Sequence, residues 1–391
     1  MLSNSRIAFV VMTLALSVST AIAAPVATPV QIDSARNKAL AWLIVNQKAD
    51  GSWRDAPGGE VVATSSALQA LRGVGIIKSY PYSKGVAWLS NADVASTDSL
   101  ARKIVTLFAA GVDTSPYAKQ LLAWKNSPVQ ATWGAYDHLG TSFPDTTQAI
   151  SALRLSGYIY PGQQAELERS VFCHILWTQS TISGGWGYMV RPEAGVSDPS
   201  STAMLPTAEA LKELVAIRAT HNASVPPNWD DGAASHCVES KLVFNNATGV
   251  FDTYVPRSLT QSINGATGSI LFMKNTDGGF RGAGGAGPST VLTTALAASA
   301  LNSVQPPGTV NVSTSITSPT LSAVVDYFIS VSPPAVNGSW GGSALQTALV
   351  LALLPLPSTP LVDTDNDGIP DAVETLLGTN ALVFDSRYLA N

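Results

Sequence analysis

Charge is scarce in this chain: 13% of its 391 residues are Asp, Glu, Lys or Arg, about half the usual share of a soluble domain. No stretch concentrates basic residues, and 22 basic against 27 acidic side chains leave a net charge of -5. A surface without a basic patch cannot neutralise a phosphate backbone, so nucleic acid is excluded as a partner. The hydrophobic share of 46% excludes a disordered chain in turn. Long apolar runs are missing beyond the first residues. The best internal candidate, 347–354, stops at Pro355, far short of the about 20 residues that span a bilayer, so no membrane span is expected in the mature chain.

Cysteine is nearly absent too. The two residues, Cys173 and Cys237, allow one intramolecular pairing. Whether they pair depends on the compartment, which the N-terminus addresses. Arg6, the apolar run 7–15 and the small residues ending Ala21-Ile22-Ala23 have the order of an export signal, residues 1–23, with cleavage after Ala23. The mature protein is then expected to be secreted, periplasmic or at the cell surface, where disulfides persist. A Cys173–Cys237 bridge is the first expectation, and closing so long a loop would contribute about 4 kcal/mol in the chain-entropy view. A zinc set from Cys173-His174 and His236-Cys237 is a weaker reading, because adjacent helical ligands point about 100° apart.

What the chain does have is a repeat. An aromatic residue in a helix-like run is followed by a Gly-flanked aromatic and then by a Ser/Thr-rich start to a second apolar run. Trp42 leads to Gly51-Ser52-Trp53, Trp124 to Trp133-Gly134, Trp177 to Gly185-Trp186-Gly187, Phe272 to Gly278-Gly279-Phe280 and Phe328 to Gly338-Ser339-Trp340; Trp88 starts a unit without the aromatic turn. Each unit reads as helix, tight turn, helix. The second helices, such as 65–71, 147–153, 292–298 and 344–350, are small and apolar nearly all round and should be buried. First helices such as 33–48 and 164–178 carry more charge. Two concentric rings, apolar helices inside and amphipathic helices outside, satisfy both patterns, and six units close a barrel of twelve helices. The repeat aromatics are expected to pack between the rings rather than to serve as ligand platforms.

The segment Lys38-Ala39-x-x-Trp42-Leu43-x-x-x-Gln47-x-x-x-Gly51-x-Trp53 resembles a complete QW repeat of the squalene-hopene and oxidosqualene cyclases. Lys84-Gly85-x-x-Trp88-Leu89 resembles its opening, and 179–186 its close with one extra residue. The resemblance covers about residues 30–355. It implies an all-α (α/α)6 toroid, a fold shared by terpenoid cyclases, protein prenyltransferase β subunits, complement thioester domains and cobalamin carriers. Fold alone does not decide function, and the chemical signatures of these families are not matched. Where the hopene-type cyclases carry D-x-D-D-T-A, this chain has Phe143-Pro144-Asp145-Thr146-Thr147 after Ser142, so only the final Asp survives and Pro144 stands in the place of the proton donor. Neither cysteine has an Asp two residues earlier, as the prenyltransferase zinc site requires. Cys237-Val238-Glu239-Ser240 lacks the Gln of a thioester motif.

If the inner helices run parallel, their N-termini meet on one face and form a polar mouth that attracts anions or polar groups. The Ser/Thr clusters there, Thr64-Ser65-Ser66, Ser96-Thr97-Asp98, Asp145-Thr146-Thr147, Ser200-Ser201-Thr202 and Ser289-Thr290, read first as helix caps. Tyr136, Asp137, Tyr188 and Arg191 are the candidate ligand-binding residues around the mouth. His138, with Asp137 or Asp145, is the candidate for acid–base work.

Residues 219–257 break the repeat and read as an inserted loop, with a seventh, degenerate unit as the alternative. A Pro-rich linker, 356–362, leads to Asp363-Thr364-Asp365-Asn366-Asp367-Gly368-Ile369-Pro370-Asp371-Ala372-Val373-Glu374. Oxygen ligands at Asp363, Asp365, Asp367, Asp371 and Glu374, a backbone carbonyl at Ile369 and a glycine for the sharp turn have the spacing of a calcium loop. Pro370 and the Pro-rich approach exclude an EF-hand entering helix, and the module 363–391 resembles a single thrombospondin type-3-like or dockerin-like repeat. The resulting expectation is an exported toroid that binds a small molecule, peptide or glycan at its mouth and holds a structural calcium ion. The alternative is a divergent terpenoid cyclase-like or polysaccharide-processing enzyme that uses Asp145.

Overall fold

The structure, a computed structural model, describes residues 26–126, 132–157, 172–176, 178–180, 183–188, 202–221, 241–245, 250–254, 259–304, 319–357 and 360–384. It is an all-α fold of paired helices. The first pair is α1 (Pro29–Val45) with α2 (Glu60–Gly73), followed by α3 (Tyr80–Asn91) with α4 (Thr97–Ala109) and α5 (Ser115–Ala123) with α6 (Phe143–Leu155). A single π turn, α7 (Phe172–Leu176), precedes α8 (Met204–His221); α9 (Leu259–Phe272) pairs with α10 (Val291–Ser303); and α11 (Pro319–Asp326), prolonged by a π turn (Tyr327–Val331), pairs with α12 (Ala344–Leu351). A last short helix, α13 (Asp371–Leu377), follows the acidic loop.

Packing closes these pairs into a ring. Each even-numbered helix lies against the next, from α2 through α4, α6, α8, α10 and α12, and α12 returns to α2. The odd-numbered helices sit outside: α3 packs on both α2 and α4, α5 on α4 and α6, α9 on α8 and α10, and α1 on α12. Buried aliphatic and aromatic side chains form one continuous core between the two layers. Within 219–257 the described residues hold an antiparallel hairpin, Lys241–Asn245 with Val250–Tyr254, in which Lys241 pairs with Tyr254 and Asn245 with Val250; no helix pair occurs among them.

The repeat aromatics occupy the space between the rings. Trp53, Trp133, Trp186, Phe280 and Trp340 are all buried. Each indole N–H donates to a carbonyl of its own outer helix: Trp53 to Leu43 at 2.7 Å, Trp133 to Leu121 at 2.7 Å, Trp186 to Ile175 at 2.9 Å and Trp340 to Phe328 at 3.2 Å. The backbone N–H of the same aromatic donates to a threonine hydroxyl inside the following inner helix, so the turn is held at both ends. These threonines are Thr64, Thr146, Thr207, Thr294 and Thr347, at 2.9–3.0 Å. Thr64 and Thr146 are therefore not caps, which corrects that expectation: Gly59 and Ser142 hold the N-cap positions of α2 and α6, without a side-chain cap. Ser96, Thr290 and Ser343 do cap α4, α10 and α12.

Glycine at the turn is dictated by the ring itself. Gly51 has φ +98°, and a Cβ there would stand 2.6 Å from the carbonyl oxygen of Lys84 on the next outer helix. A Cβ on Gly338, with φ +93°, would collide with the carbonyl of Lys38 in the same way. The last turn thus packs on the first outer helix and closes the circle. The Gln of the turn adds a polar tie: Gln47 donates to the carbonyls of Gly51 at 2.9 Å and Pro81 at 2.8 Å, and Gln179 to those of Gly184 at 2.7 Å and Ser262 at 2.9 Å.

Candidate functional site

The starts of the inner helices share one face, and the loops before α2, α6 and α10 each reach a neighbour's start. Thr97 N–H donates to Ala135 at 3.0 Å and its hydroxyl to Gly134 at 2.7 Å, tying the α5–α6 loop to the start of α4. Met204 N–H donates to Gly282 at 2.8 Å, tying the α9–α10 loop to α8. Asp55, in the α1–α2 loop, accepts from Leu345 N–H at 2.9 Å and from the Ser343 hydroxyl at 2.7 Å at the start of α12.

Below this mouth the inner helices bury the flanks that face neighbours and outer helices. On α4, α6, α8, α10 and α12 this leaves one half-buried stripe at intervals of three or four residues, and in a closed ring that stripe faces the axis; on α2 Val62 is half-buried and Gln69 exposed. The stripes differ in chemistry. On α10 and α12 they are carried by Leu292, Leu296, Leu345 and Leu349. On α4, α6 and α8 they are carried by Asp98, Arg102, Asp145, Gln148, Glu209 and Lys212. The α10–α12 side carries leucines, while the α4–α8 side carries charged and amide groups alongside the half-buried Val105, Leu205 and Val215.

The charged side is a connected network. Arg102 Nε donates to both carboxylate oxygens of Asp98, at 2.9 and 3.0 Å. Burial opposes its charge, but Asp98, Glu209 and Asp145 together hold the guanidinium above its ordinary pKa. Lys212 pairs with Glu209 at 3.3 Å. One turn further along, Arg154 of α6 grips Glu213 of α8 through two hydrogen bonds of 2.9 Å, with Glu213 fully buried; so enclosed a bidentate pair fixes the two helices relative to each other.

Asp145 belongs to this network. It lies in the first turn of α6 and accepts from the Ser142 hydroxyl. Burial pushes its carboxyl above the ordinary carboxylate range and the Asp98 charge adds to the effect, while the Ser142 hydroxyl and the Asp98 backbone N–H pull against it. Such a group holds its proton to higher pH than a solvated aspartate.

The other candidates lie at the rim. His138 is 92% exposed, with φ +63°, and its Nε2 stands 3.3 Å from Asp137. Its Nε2 faces Asp137, whereas Asp145 accepts from Ser142. Tyr136 and Tyr188 are each 53% exposed, and Tyr136 is tied through a β-bridge to Ser96. Arg191 and the Cys173–Cys237 pairing lie outside the described residues. Sequence reasoning missed Asp98 as a partner, Arg102, Glu209, Arg154 and Glu213. Their signal was present as charges three or four apart in helices that a two-ring architecture places inside.

The acidic loop forms a second site. Asp363, Asp365 and Asp367 each bring a carboxylate oxygen within 4.8 Å of the others. Asp363 Oδ1, Asp365 Oδ2 and Glu374 Oε2 are buried without a hydrogen-bond partner, and the Glu374 side chain is 0% exposed. Burial raises the Glu374 carboxyl pKa, with Asp367, Asp365 and Asp371 adding to the rise. An oxygen-only donor set of concentrated negative charge fits a hard divalent cation. Asp371 stands apart from the group: its oxygens accept from Thr364 N–H at 2.8 Å and the Thr364 hydroxyl at 2.7 Å. These bonds close the loop. The Ile369 side chain is buried.

In overall architecture the chain is similar to the type II terpene cyclase MstE from Scytonema in its apo form, with 13% identity and a TM-score of 0.52 over 84% of this chain and 98% of that one. It is also similar to an MstE variant in complex with geranylgeranyl dihydroxybenzoate, with 13% identity and a TM-score of 0.51 over 83% and 97% of the two chains. No family model matches the chain, and no curated protein matches it. The likeness shows a helical terpene-cyclase-like fold. Among the described residues no helix is long and apolar enough to cross a membrane.

Proposed function

We propose that the protein binds an amphipathic small molecule inside the ring, its apolar body against Leu292, Leu296, Leu345 and Leu349 and its polar end against Arg102, Asp145 and Glu209. The observation that carries this reading is the division of the lumen into a leucine-lined side and a side that carries the charged groups, since ligand sites combine apolar walls with a few placed polar groups. The MstE variant holds a geranylgeranyl chain on a dihydroxybenzoate head, a molecule of that same two-part character, and it supplies the first probe. Equilibrium dialysis of the full chain with geranylgeranyl dihydroxybenzoate should give saturable binding, weakened at least tenfold by Leu296→Glu and by Arg102→Ala. Unsaturable partitioning, unchanged by both substitutions, overturns the reading.

A second reading is favoured by one further observation. Burial and the neighbouring Asp98 charge raise the Asp145 pKa above the ordinary carboxylate value, the direction of shift that favours a general acid. A polyprene seated with a terminal double bond at Asp145 would accept that proton, and the resulting cation would close rings before losing a proton elsewhere. Pro144 stands where the cyclase motif carries its usual donor, so this reading rests on Asp145 alone as the acid. Mass analysis of extracted incubations distinguishes the readings: cyclised isomers that vanish in Asp145→Asn indicate an enzyme, while unchanged ligand indicates a carrier.

The acidic loop is proposed to hold calcium through Asp363, Asp365, Asp367 and Glu374, with a structural role. Export after removal of 1–23 belongs to the same proposal, since an extracellular calcium concentration suits sites with Kd of about 10⁻⁴–10⁻³ M.

A further inference from the structure

The C-terminal module does not hang from the ring as a spacer. Helix α13 packs on α1, and Ile369 and Val373 are buried in the same apolar core as the two helical layers. Gly368, with φ +89°, presses on the start of α3 so closely that a Cβ would stand 2.5 Å from the backbone nitrogen of Ser79, the residue that caps that helix. Arg36 of α1, itself buried, donates to the carbonyl of Pro355, where the chain leaves α12, and pairs with Asp33. The module therefore covers the wall formed by the first two outer helices, beside the seam where α12 returns to α1 and α2.

The same short loop that makes these contacts carries the carboxylate cluster. Gly368 N–H donates to Asp363 at 3.0 Å, and Ile369 N–H donates to Asp367 at 2.8 Å, so the docking residues and the acidic residues share one set of hydrogen bonds. Glu374, fully buried with Oε2 unpartnered, is the neighbour of Val373 in the packed face of α13. Without a cation, like charges are held close together and buried oxygens go unsatisfied, and both costs fall on the conformation that docks. A cation removes both. We infer that a divalent cation in this loop is a clasp, which fixes the module against α1 and the start of α3 and thereby secures the seam of the ring. The inference rests on the calcium reading of the previous subsection and adds that the effect of the ion extends beyond its own loop.

Amide hydrogen exchange of the full-length protein tests it, with calcium or with chelator, alongside terbium luminescence to report whether the loop holds a cation. The clasp predicts that calcium slows exchange in 363–377 and also, by about tenfold or more, in α1 and across 77–82. Asp365→Ala should abolish both effects, and because chelation of the unaltered chain gives the same comparison, the test does not depend on that variant folding. Terbium binding with protection confined to 363–377 overturns the clasp and leaves the metal site standing. Absence of cation binding overturns both.

Discussion

The backbone N–H of Trp53 donates to the hydroxyl of Thr64 at 2.9 Å, and both residues are buried between the two rings of helices. The same link recurs from Trp133 to Thr146, Trp186 to Thr207, Phe280 to Thr294 and Trp340 to Thr347. A tight turn buried between helices has no strand or helix partner for its N–H groups, so a hydroxyl inside the inner helix must supply the acceptor. Thr64→Val keeps the shape and removes the acceptor. It should destabilise the protein by about 1–3 kcal/mol, the cost of one unsatisfied buried donor, with Thr64→Ser recovering most of the loss. Urea denaturation of the three proteins checks this.

Asp55 performs a different task across the seam, accepting from the start of α12 while belonging to the loop after α1. Its carboxylate caps a helix from nearly three hundred residues away in sequence and meets the positive end of the helix dipole. Asp55→Ala should cost about 1 kcal/mol and lower Tm, while Asp55→Asn, which keeps one acceptor, should cost less. A loss confined to low salt would assign the effect to charge instead of hydrogen bonding.

His174 lies against Phe143 with ring centroids 5.9 Å apart, its Nε2 unpartnered, and burial lowers its pKa to about 4. The unfolded chain protonates near the ordinary value of about 6.5, so between these values the unfolded state binds the proton and the folded state does not. Stability is full above about pH 6.5, falls as pH drops towards 4 and levels off below it, a total of about 3 kcal/mol from this residue. His174→Phe should flatten that part of the profile. Unfolding free energies at pH 7, 5.5 and 4 for both proteins measure the slope.

Asp145→Asn removes a charge that burial and Asp98 already disfavour, so Tm should be no lower than that of the unaltered protein. Binding of an amphipathic probe should survive, because Arg102 and Glu209 remain. Any proton-initiated turnover should fall to background. A fall in Tm together with loss of binding would assign Asp145 to the structure of the ring and remove it from chemistry.

The repeat was legible in the sequence because it is local. Trp53, Trp186, Phe280 and Trp340 each follow a glycine of positive φ by two residues, Trp133 is followed directly by a glycine, and the apolar second helices announce an inner layer. The same locality makes the cluster of Asp363, Asp365 and Asp367 readable, since all three lie within one short loop. The threonines at the helix starts were legible as residues but not as partners: Thr64 lies inside α2 and meets Trp53 only after the turn folds back. His138 drew attention as a loop histidine beside aspartates, yet a φ of +63° and 92% exposure leave it at the rim. What only the tertiary structure decided is which charges share a space. Arg102, Asp145 and Glu209 come from three separate helices, and the packing of α6 against α4 and α8 brings them to one side of the lumen. Asp55 finds α12, and Gly368 finds Ser79, for the same reason: sequence periodicity specifies the face each helix buries, but the neighbour that face meets is set by packing the whole circle.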